Sequence, residues 1–575
     1  MATRQESRHA SSAREGSPLL RRARGKFAEV FGADLRSLAA FRIVLGLLVL
    51  ADLALRATDF HAHYTDAGVL PRSQAIESGL IDAWEFSLYL INGEALFQAL
   101  LFGLTALAAV CMLVGYRTRL STIIVWVLVV SVQWRNPLLL NGGDTLLRLL
   151  LFWAMFLPLG AYWSVDRWRK AAPQRLSMVF LSVGTIGLLM QIAFVYIFTA
   201  LLKTGDEWRV DGTALYYALN LDHLVTPFGV WMSQFPDLLK VLTFATLGLE
   251  ALGPFLLFFP FFTGPVRTAM VLAFMSLHFG IWTMMEIGFF PWISAFCMVC
   301  FLPAWFWDTT GARINAAYPK FLPDVTRGFQ RAATALAGVY PALRRARPSR
   351  TPGIVDPSIA GLAGGEDRAT SAAQTAEMPR EERAGQMGAP GGPVRLRSTP
   401  LTNLLAAFFL AYIFCWNLTT GTSFEVPDRL ENVGEFFGLG QTWSMFAPAP
   451  PDEASWPVMP GTLRDGQKVD LMGVTRGDFG MYAVSWEKPE YVACVYETNH
   501  WRKYLNAVNG DEEYAEDLKL QFADYVCDEW NARHKGPEKL DALKVYSVET
   551  ETPPPGRPLS EEKPYRDFLW HYRCS

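Results

Sequence analysis

Long apolar blocks alternate with short polar segments along most of the chain. An apolar block that has few charges and is long enough to cross a bilayer predicts a transmembrane helix. Nine blocks are predicted to be such spans: 38–55, 95–114, 121–134, 145–162, 178–202, 238–262, 266–285, 289–307 and 401–418. The pattern therefore predicts an all-α polytopic membrane bundle of about nine transmembrane helices.

The segments between these blocks divide the chain into five predicted regions. Residues 1–36 are basic and are predicted to be a disordered cytoplasmic tail. Residues 37–307 form a predicted transmembrane domain of eight spans. Residues 308–400 are rich in Ala, Gly, Pro and Arg, which predicts a partly disordered cytoplasmic linker. The ninth transmembrane helix (401–418) follows, and residues 419–575 are predicted to form a smaller α+β domain.

Local patterns in residues 419–575 predict both helices and strands. A hairpin is predicted over residues 456–471, with turns at 460–461 and 465–466. Apolar residues at helical spacing predict a helix over residues 514–534, and alternation predicts a strand over residues 544–550.

Charged residues between the apolar blocks predict the orientation in the membrane. Arg and Lys cluster at 117–119, 167–175 and 313–350, whereas the 56–94 loop is mainly acidic. If the N-terminus is cytoplasmic, every basic cluster falls on the cytoplasmic side, as the positive-inside rule requires. The same count places Lys203 and the C-terminal domain outside the cytoplasm, in a multi-pass protein of the cell membrane.

Composition argues against several other classes of function. The 52 Lys and Arg residues nearly balance the 55 Asp and Glu residues, and no basic domain or zinc-ligand spacing occurs. Neither nucleic acid nor a metal is therefore expected. Cys297 and Cys300 lie within an apolar span, where small packing residues are expected. Of Cys494, Cys527 and Cys574, at most one pair can form a disulfide, unless a cysteine of the last span joins them.

Lys203 stands where the fifth apolar block stops, just before a polar turn that contains Trp208. One interpretation is an anchor, with the side-chain stem in the apolar layer and the ammonium at the headgroups. The other is a base, because a lysine in an apolar pocket loses the hydration of its charged form and its pKa falls. Spacing alone favours the anchor.

Other ionisable residues also lie within predicted spans, where they are energetically costly. Asp52 and Arg56 are one helical turn apart and are predicted to pair. Glu250 has no partner within one turn, so it should face another helix. His278 can both donate and accept a hydrogen bond, which suits it either to a neighbouring side chain or to a phenol or quinone oxygen.

Four segments, taken in order, resemble one known family. They are residues 41–48 (FRIVLGLL), 162–166 (YWSVD), 202–212, which contain Lys203 and Trp208, and 278–291, which run from His278 to Pro291. Residues 37–307 thereby resemble the vitamin K-dependent γ-glutamyl carboxylase. More broadly, they resemble the horizontally transferred transmembrane (HTTM) domain that this enzyme shares with bacterial membrane proteins.

The resemblance implies a set of site residues. In the family, a lysine at the position of Lys203 deprotonates vitamin K hydroquinone. A histidine at the position of His278 is implied to act on the quinone. The implied catalytic residues are therefore Lys203 and His278. His278, Glu250 and Trp208 are implied to bind the cofactor, and Glu250 stands where the family has an aspartate. The implied cofactor is reduced vitamin K or a menaquinol-like quinol, with O2 and CO2 as co-substrates and no metal.

Two departures from the family pattern favour the quinone half of this chemistry over carboxylation. The animal enzyme has Asn-Asn-His-Ser where residues 141–144 read NGGD, so a family histidine is missing. Asp144 is the candidate to take its place as a cofactor-binding residue. The external region that grips a substrate propeptide is not recognisable, and residues 443–448 (WSMFAP) are more similar to the bacterial relatives.

The predicted function is that of a membrane protein that binds a quinol and oxygenates it to an epoxide. Carboxylation of a glutamate side chain, a lyase activity, is the further step that the resemblance implies. Three alternatives stay open: a quinol oxygenase without a protein substrate, a non-catalytic factor for the maturation, export or immunity of a secreted peptide, and a lipid- or quinone-binding structural protein. The predicted partners are membrane lipid, a quinone and a secreted peptide. Whether the protein is an enzyme is left open at this point.

Overall fold

The computed structural model describes residues 18–169, 175–317, 394–557 and 564–575. The main compact unit comprises the described parts of residues 1–167, 178–312 and 397–575. A second unit comprises the described parts of residues 168–177 and 313–396, in which Leu176 and Val394 form a parallel bridge. Most of the predicted 308–400 linker lies outside the described residues.

The main unit is mostly helical. The helices before residue 318 are α1 (Pro18–Phe31), α2 (Leu35–Thr58), α3 (Phe60–Tyr64), α4 (Arg72–Glu77), α5 (Ala95–Val114), α6 (Thr118–Arg135), α7 (Gly142–Ala154), α8 (Val165–Trp168), α9 (Val183–Leu202), α10 (Asp206–Arg209), α11 (Ala214–Ala218), α12 (Pro227–Met232), α13 (Pro236–Leu257), α14 (Thr263–Met284), α15 (Phe290–Cys297) and α16 (Ala304–Ala317). Two short strands, β1 (Ala33–Asp34) and β2 (Val179–Phe180), pair antiparallel beside the start of α2.

Six helices of the described residues are long and apolar enough to cross a membrane: α2, α5, α9, α13, α14 and α17 (Pro400–Thr419). A seventh crossing is counted if residues 290–313, which bend by 91°, form one broken span. Length and composition thus support a multi-pass membrane protein but fewer than nine spans. The predicted span at 145–162 corresponds to α7, which has only 13 residues. At 1.5 Å per residue, α7 is about 20 Å long, shorter than a bilayer core of about 30 Å.

Helix α1 forms where the sequence predicted part of the disordered tail 1–36. The last turn of α1 packs on the bundle, because Val30 is buried and the ring of Phe31 stacks on Phe258 with centroids 5.4 Å apart. The basic composition of this region concealed an apolar face at helical spacing. Residues 1–17 of the predicted tail lie outside the described residues.

After α17 the chain forms a region of mixed structure. Its elements are α18 (Asp428–Phe437), β3 (Glu453–Val458), β4 (Pro460–Leu463), β5 (Lys468–Asp470), α19 (Asn499–Val508), α20 (Ala515–Arg533), β6 (Leu540–Glu551) and β7 (Tyr565–Arg573). Strand β6 is central to an antiparallel sheet: β7 lies along one edge, and β3 and β4 follow one another along the other. Strand β5 completes the sheet by pairing with β4.

Most local predictions for this region are confirmed. The predicted helix 514–534 is α20, and the predicted strand 544–550 lies within β6. The turn at residues 465–466 connects β4 to β5, and Gly466 has a φ of 89° that only glycine adopts readily. The predicted turn at 460–461 is wrong. Both residues lie in β4, whose first position tolerates a proline.

One hydrophobic core joins the 56–94 loop to the C-terminal region. Tyr504 of α19 donates its hydroxyl to the carbonyl of Val69 at 2.9 Å. Thr498, which caps α19, donates its hydroxyl to the Asp59 carboxylate at 2.6 Å. The start of α19 is therefore fixed against the loop that follows the first span.

The C-terminal region contains one disulfide among its described cysteines. Cys527 of α20 is bonded to Cys574, just beyond β7, and Cys494 is free and exposed. The expectation of at most one disulfide among these three cysteines is confirmed.

Candidate functional site

Helix α9 places Lys203 at its carboxyl end. The helix starts with a capping box, in which the side chains of Ser182 and Thr185 each bond to the other's backbone N–H. At the far end the Lys203 N–H still donates to the Thr199 carbonyl at 3.2 Å, but a ψ of 76° turns the chain out of the helix. The Arg209 guanidinium donates to the Lys203 carbonyl at 2.8 Å. The backbone on both sides of Lys203 is therefore fixed.

The Lys203 side chain is paired inside the bundle. Its Nζ lies 2.6 Å from Oε2 of Glu250 on α13, and the two residues are only 4% and 7% exposed. The same Nζ lies 4.0 Å from the ring centroid of Trp208, a cation–π distance. The Trp208 indole N–H donates to the Phe446 carbonyl at 2.8 Å, which fixes the ring in place. Glu250 faces another helix, as the sequence predicted, and its partner there is Lys203.

A second polar pair lies on the same face of α9. Tyr196 precedes Lys203 by seven residues, which is two helical turns or about 10 Å along the axis. Its hydroxyl is 2.9 Å from Nε2 of His278, on α14. His278 is buried, and its Nδ1 has no hydrogen-bond partner among the described residues. One imidazole nitrogen is therefore buried without a hydrogen-bond partner among the described residues.

The third group of polar residues contains Asp144. Asp144 accepts the Asn141 N–H at 2.9 Å in the capping box of α7, and its other oxygen accepts from Arg56. Arg56 also donates to Asp52 at 2.8 Å and to the Tyr64 hydroxyl at 2.9 Å. The predicted pairing of Asp52 with Arg56 is confirmed, and the structure extends it to two carboxylates around one guanidinium.

Gly143, in the first turn of α7, packs closely against the backbone of Phe290. A Cβ atom at Gly143 would lie 2.9 Å from Cα of Phe290 and 3.0 Å from its backbone nitrogen. The first turn of α7 thus packs directly against the start of α15, and a side chain at this position would separate the two helices.

A cavity of about 600 Å³ adjoins Asp144 at the start of α19; we call it the α19 cavity. Aromatic side chains form part of its wall, and the first residues of α19 close one side. Its lining includes Asp52, Leu55, Asn141, Asp144, Trp282, Glu286, Phe289, Trp292, Glu497, Asn499 and His500. Of the five site residues predicted from the sequence, only Asp144 is among those that line it.

A second cavity of about 870 Å³ lies between the carboxyl ends of α9 and α17; we call it the α17 cavity, and Lys203 itself is not among its lining residues. Leu202 and Thr204, the two sequence neighbours of Lys203, are part of its lining. Its wall is apolar on the helix side, and its other lining residues include the hydroxyl-bearing Thr420, Thr422, Ser423 and Ser444. This arrangement suits a ligand with an apolar chain and a polar head.

Residues 438–449, which we call the return segment, contact the three helices α7, α9 and α10. The Arg148 guanidinium donates to the carbonyls of Gly438 and Gly440 at 2.8 and 3.0 Å. Farther along, Gln191 of α9 donates its side-chain amide to the Gln441 side chain at 2.8 Å. The segment then reaches Trp208 through the Phe446 carbonyl.

The role of the return segment was not predicted; residues 443–448 indicated only a similarity to the bacterial relatives. The signal in the sequence is the cluster of apolar and aromatic residues after the last span, Trp443, Met445 and Phe446. In the structure Trp443 and Gln441 are 3% and 4% exposed. Trp443 also donates its indole N–H to Gln441 at 2.9 Å, so the buried polar groups satisfy one another.

Two titratable groups near the α19 cavity are strongly affected by burial. Burial raises the pKa of Asp59 to about 6, an effect that the hydrogen bond from Thr498 only partly offsets. Burial, together with the nearby Arg56 cation, lowers the pKa of His500 to about 4. At neutral pH, Asp59 is therefore mostly ionised and His500 is neutral.

The described residues contain no group of three or more His, Cys, Asp or Glu that could hold a metal ion. Residues 32–305 match the family model of the HTTM domain. The chain therefore carries an HTTM domain, the domain found in the vitamin K-dependent carboxylase family. This confirms the resemblance that the sequence motifs indicated for residues 37–307. No solved structure matches the chain.

Proposed function

We propose that this protein binds a quinol and oxygenates it to the epoxide, with the Lys203–Glu250 pair as the base. The pair itself is the observation that carries the proposal: an amine and a carboxylate, both buried, 2.6 Å apart. At this distance a proton can pass directly from the amine to the carboxylate, which leaves the amine neutral. A neutral amine can accept the phenolic proton of a quinol.

The surroundings of the pair support this role. The α17 cavity offers an apolar wall for the isoprenoid tail of a quinol, next to the residues that flank Lys203. Buried His278, whose Nδ1 is unpartnered among the described residues, offers a hydrogen bond to a quinol oxygen. The Trp208 ring would stabilise the ammonium that forms when Lys203 takes the proton.

The reaction balances with molecular oxygen as the oxidant. The quinol gives up its two hydroxyl hydrogens, one oxygen atom enters the epoxide, and the other leaves as water. In this scheme Lys203 removes the first phenolic proton, and Glu250 holds the ammonium that results. The carboxylase-like family suggests a further step, carboxylation of a glutamate side chain, and the experiment below includes it.

We also propose a topology. The chain would cross the membrane an odd number of times, seven if residues 290–313 form one broken span, with the N-terminus cytoplasmic and residues 419–575 outside the cytoplasm. Two observations support it. The Arg and Lys clusters fall on one side of that count, and the Cys527–Cys574 disulfide is typical of an oxidising compartment.

The proposal is tested by oxygen-dependent epoxide formation from reduced vitamin K or menaquinol, with purified protein in detergent. Wild type is compared with Lys203→Ala, and with Lys519→Ala as a control at a surface lysine paired with the exposed Glu516. A glutamate-rich peptide and labelled CO2 are added in a second arm. Epoxide that is lost only in Lys203→Ala supports a quinol oxygenase, and label in the peptide adds carboxylation. If none of the proteins forms epoxide but the peptide binds, the protein is instead a peptide-handling factor.

A further inference from the structure

Helix α1 is amphipathic. At 100° per residue, the apolar side chains of Leu19, Ala23, Phe27 and Val30 fall within one narrow arc, and cationic residues flank it. Leu19 is 76% exposed and Phe27 is 48% exposed. Exposed apolar side chains on one face of a helix indicate a surface that another apolar medium covers.

The position of α1 identifies that medium. Lys26 donates to the Thr263 hydroxyl at 3.2 Å, and the Arg267 guanidinium donates to the Val30 carbonyl. Phe31 stacks on Phe258. Thr263 is the first residue of α14 and Phe258 follows the last residue of α13, and both helices are long and apolar enough to span a membrane. Helix α1 is thus attached at the level where these spans end, which is the membrane interface.

The charges of α1 indicate the kind of lipid. Arg22 and Arg24 are exposed, and neither forms an ion pair with a described residue. Arg24 lies next to one edge of the apolar arc and Arg22 near the other. Glu29 is the one acidic residue of the helix, and it is bonded to Lys26 at 3.0 Å. A helix with an apolar face and flanking cations lies in the interface and is attracted to anionic headgroups.

We propose that α1 is an interfacial helix that binds anionic phospholipid in the leaflet where α13 ends and α14 begins. Leu19 and Phe27 insert between the acyl chains, and Arg22 and Arg24 contact the phosphate groups. This inference is independent of the proposed quinol chemistry.

The test measures phospholipid binding to the full-length protein in detergent, by native mass spectrometry. Wild type should bind phosphatidylglycerol more tightly than phosphatidylcholine, and added salt should reduce the difference. Arg22→Gln/Arg24→Gln should weaken phosphatidylglycerol binding about tenfold or more, because each cation near an anionic surface contributes about fivefold. Arg464→Gln/Arg557→Gln, at two exposed arginines outside α1, is the matched control and should bind as wild type does.

A second pair of substitutions tests the apolar face. Leu19→Ser/Phe27→Ser should weaken the binding of both lipids while the melting temperature stays within a few degrees of wild type. The proposal is overturned if Arg22→Gln/Arg24→Gln binds phosphatidylglycerol as wild type does, or if the two lipids bind equally to wild type. It is also overturned if free glycerol phosphate displaces phosphatidylglycerol, because the site would then bind an anion and not a lipid.

Discussion

Nζ of Lys203 lies 2.6 Å from Oε2 of Glu250, and the two residues are 47 positions apart on neighbouring helices. The pair connects α9 to α13 at the level where the proposed chemistry takes place. Each partner compensates the buried charge of the other, so the pair has a structural role and a chemical role that experiments can separate.

The structural role predicts strong coupling between the two residues. Lys203→Ala and Glu250→Ala should each destabilise the protein by about 3–5 kcal/mol, because each leaves a buried charge without its partner. The double variant should lose much less than the sum. The measurement is a double-mutant cycle on thermal unfolding in detergent. Lys519 and Glu516 provide a comparison pair at the same distance, 2.6 Å. Their side chains are 18% and 81% exposed, so water screens the pair and their coupling should be below about 1 kcal/mol.

The chemical role predicts that Lys203→Arg retains stability but loses turnover. A guanidinium keeps a positive charge beside Glu250, so the melting temperature should fall less than in Lys203→Ala. It cannot be deprotonated in a protein, so epoxide formation should be as low as in Lys203→Ala. Full turnover by Lys203→Arg would show that this residue is not the base.

Tyr196→Phe should affect quinol binding through His278. Loss of the hydroxyl leaves both imidazole nitrogens without a protein partner, which costs about 1–3 kcal/mol and releases the ring from its orientation. The expected kinetic result is a higher KM for the quinol with a smaller change in kcat. Tyr412→Phe is the control, because Tyr412 also donates its hydroxyl to a protein acceptor, the Leu430 carbonyl, at 2.8 Å. An unchanged KM in Tyr196→Phe would remove His278 from the quinol site.

The stability of Asp59→Asn relative to wild type should increase as the pH rises. The pKa of Asp59 is about 6 in the folded protein and 3.8 in the unfolded chain, so the folded state holds the proton more tightly. Wild type therefore loses stability as the pH rises from about 4 to about 6, by up to about 3 kcal/mol at 1.36 kcal/mol per pKa unit. Asparagine does not titrate, and its side-chain oxygen can still accept from Thr498.

The measurement is the melting temperature of Asp59→Asn minus that of wild type, at pH values from 4 to 8. The difference should increase with pH and level off above about pH 7. Asp528→Asn, at an exposed aspartate, should give a flat difference. His500 does not disturb the comparison, because its titration is common to both proteins. A flat profile for Asp59→Asn would contradict the burial of the Asp59 charge.

Cys494 tests the proposed topology. It is free and exposed, whereas the other free cysteines of the described residues are buried or half-buried in helices. A membrane-impermeant maleimide should label wild type in intact spheroplasts and fail to label Cys494→Ser. Labelling that appears only after the membrane is permeabilised would place residues 419–575 in the cytoplasm.

Sequence patterns predicted those features that depend on one segment at a time. The span at 95–114 coincides with α5, and the helix at 514–534 with α20, because an apolar block or a 3.6-residue period is a local property. The span at 145–162 was predicted too long. Its second half is apolar, but the helix stops at Ala154 and turns follow.

The candidate site was only partly predictable, because its contacts join distant segments. The sequence showed that Glu250 needs a partner on another helix, but nothing local to Glu250 identified Lys203. The same holds for His278 and Tyr196, which lie on different helices. The resemblance to the carboxylase family implied Lys203, Trp208 and His278 as site residues. Their pairing with Glu250, with the Phe446 carbonyl and with Tyr196 is a property of the fold.

The return segment has a consequence for how the protein is made. The indole of Trp208 is held by the carbonyl of Phe446, which the ribosome adds 238 residues later, after the last span. When the chain up to residue 307 has been inserted, the surroundings of Lys203 therefore still lack the contact between Trp208 and Phe446. These surroundings are completed only when residues 438–449 have been made and have folded back onto α7 and α9. A nascent chain stopped before that point would hold Lys203 and Glu250 but not the arrangement that the proposed catalysis needs, so activity would begin late in synthesis.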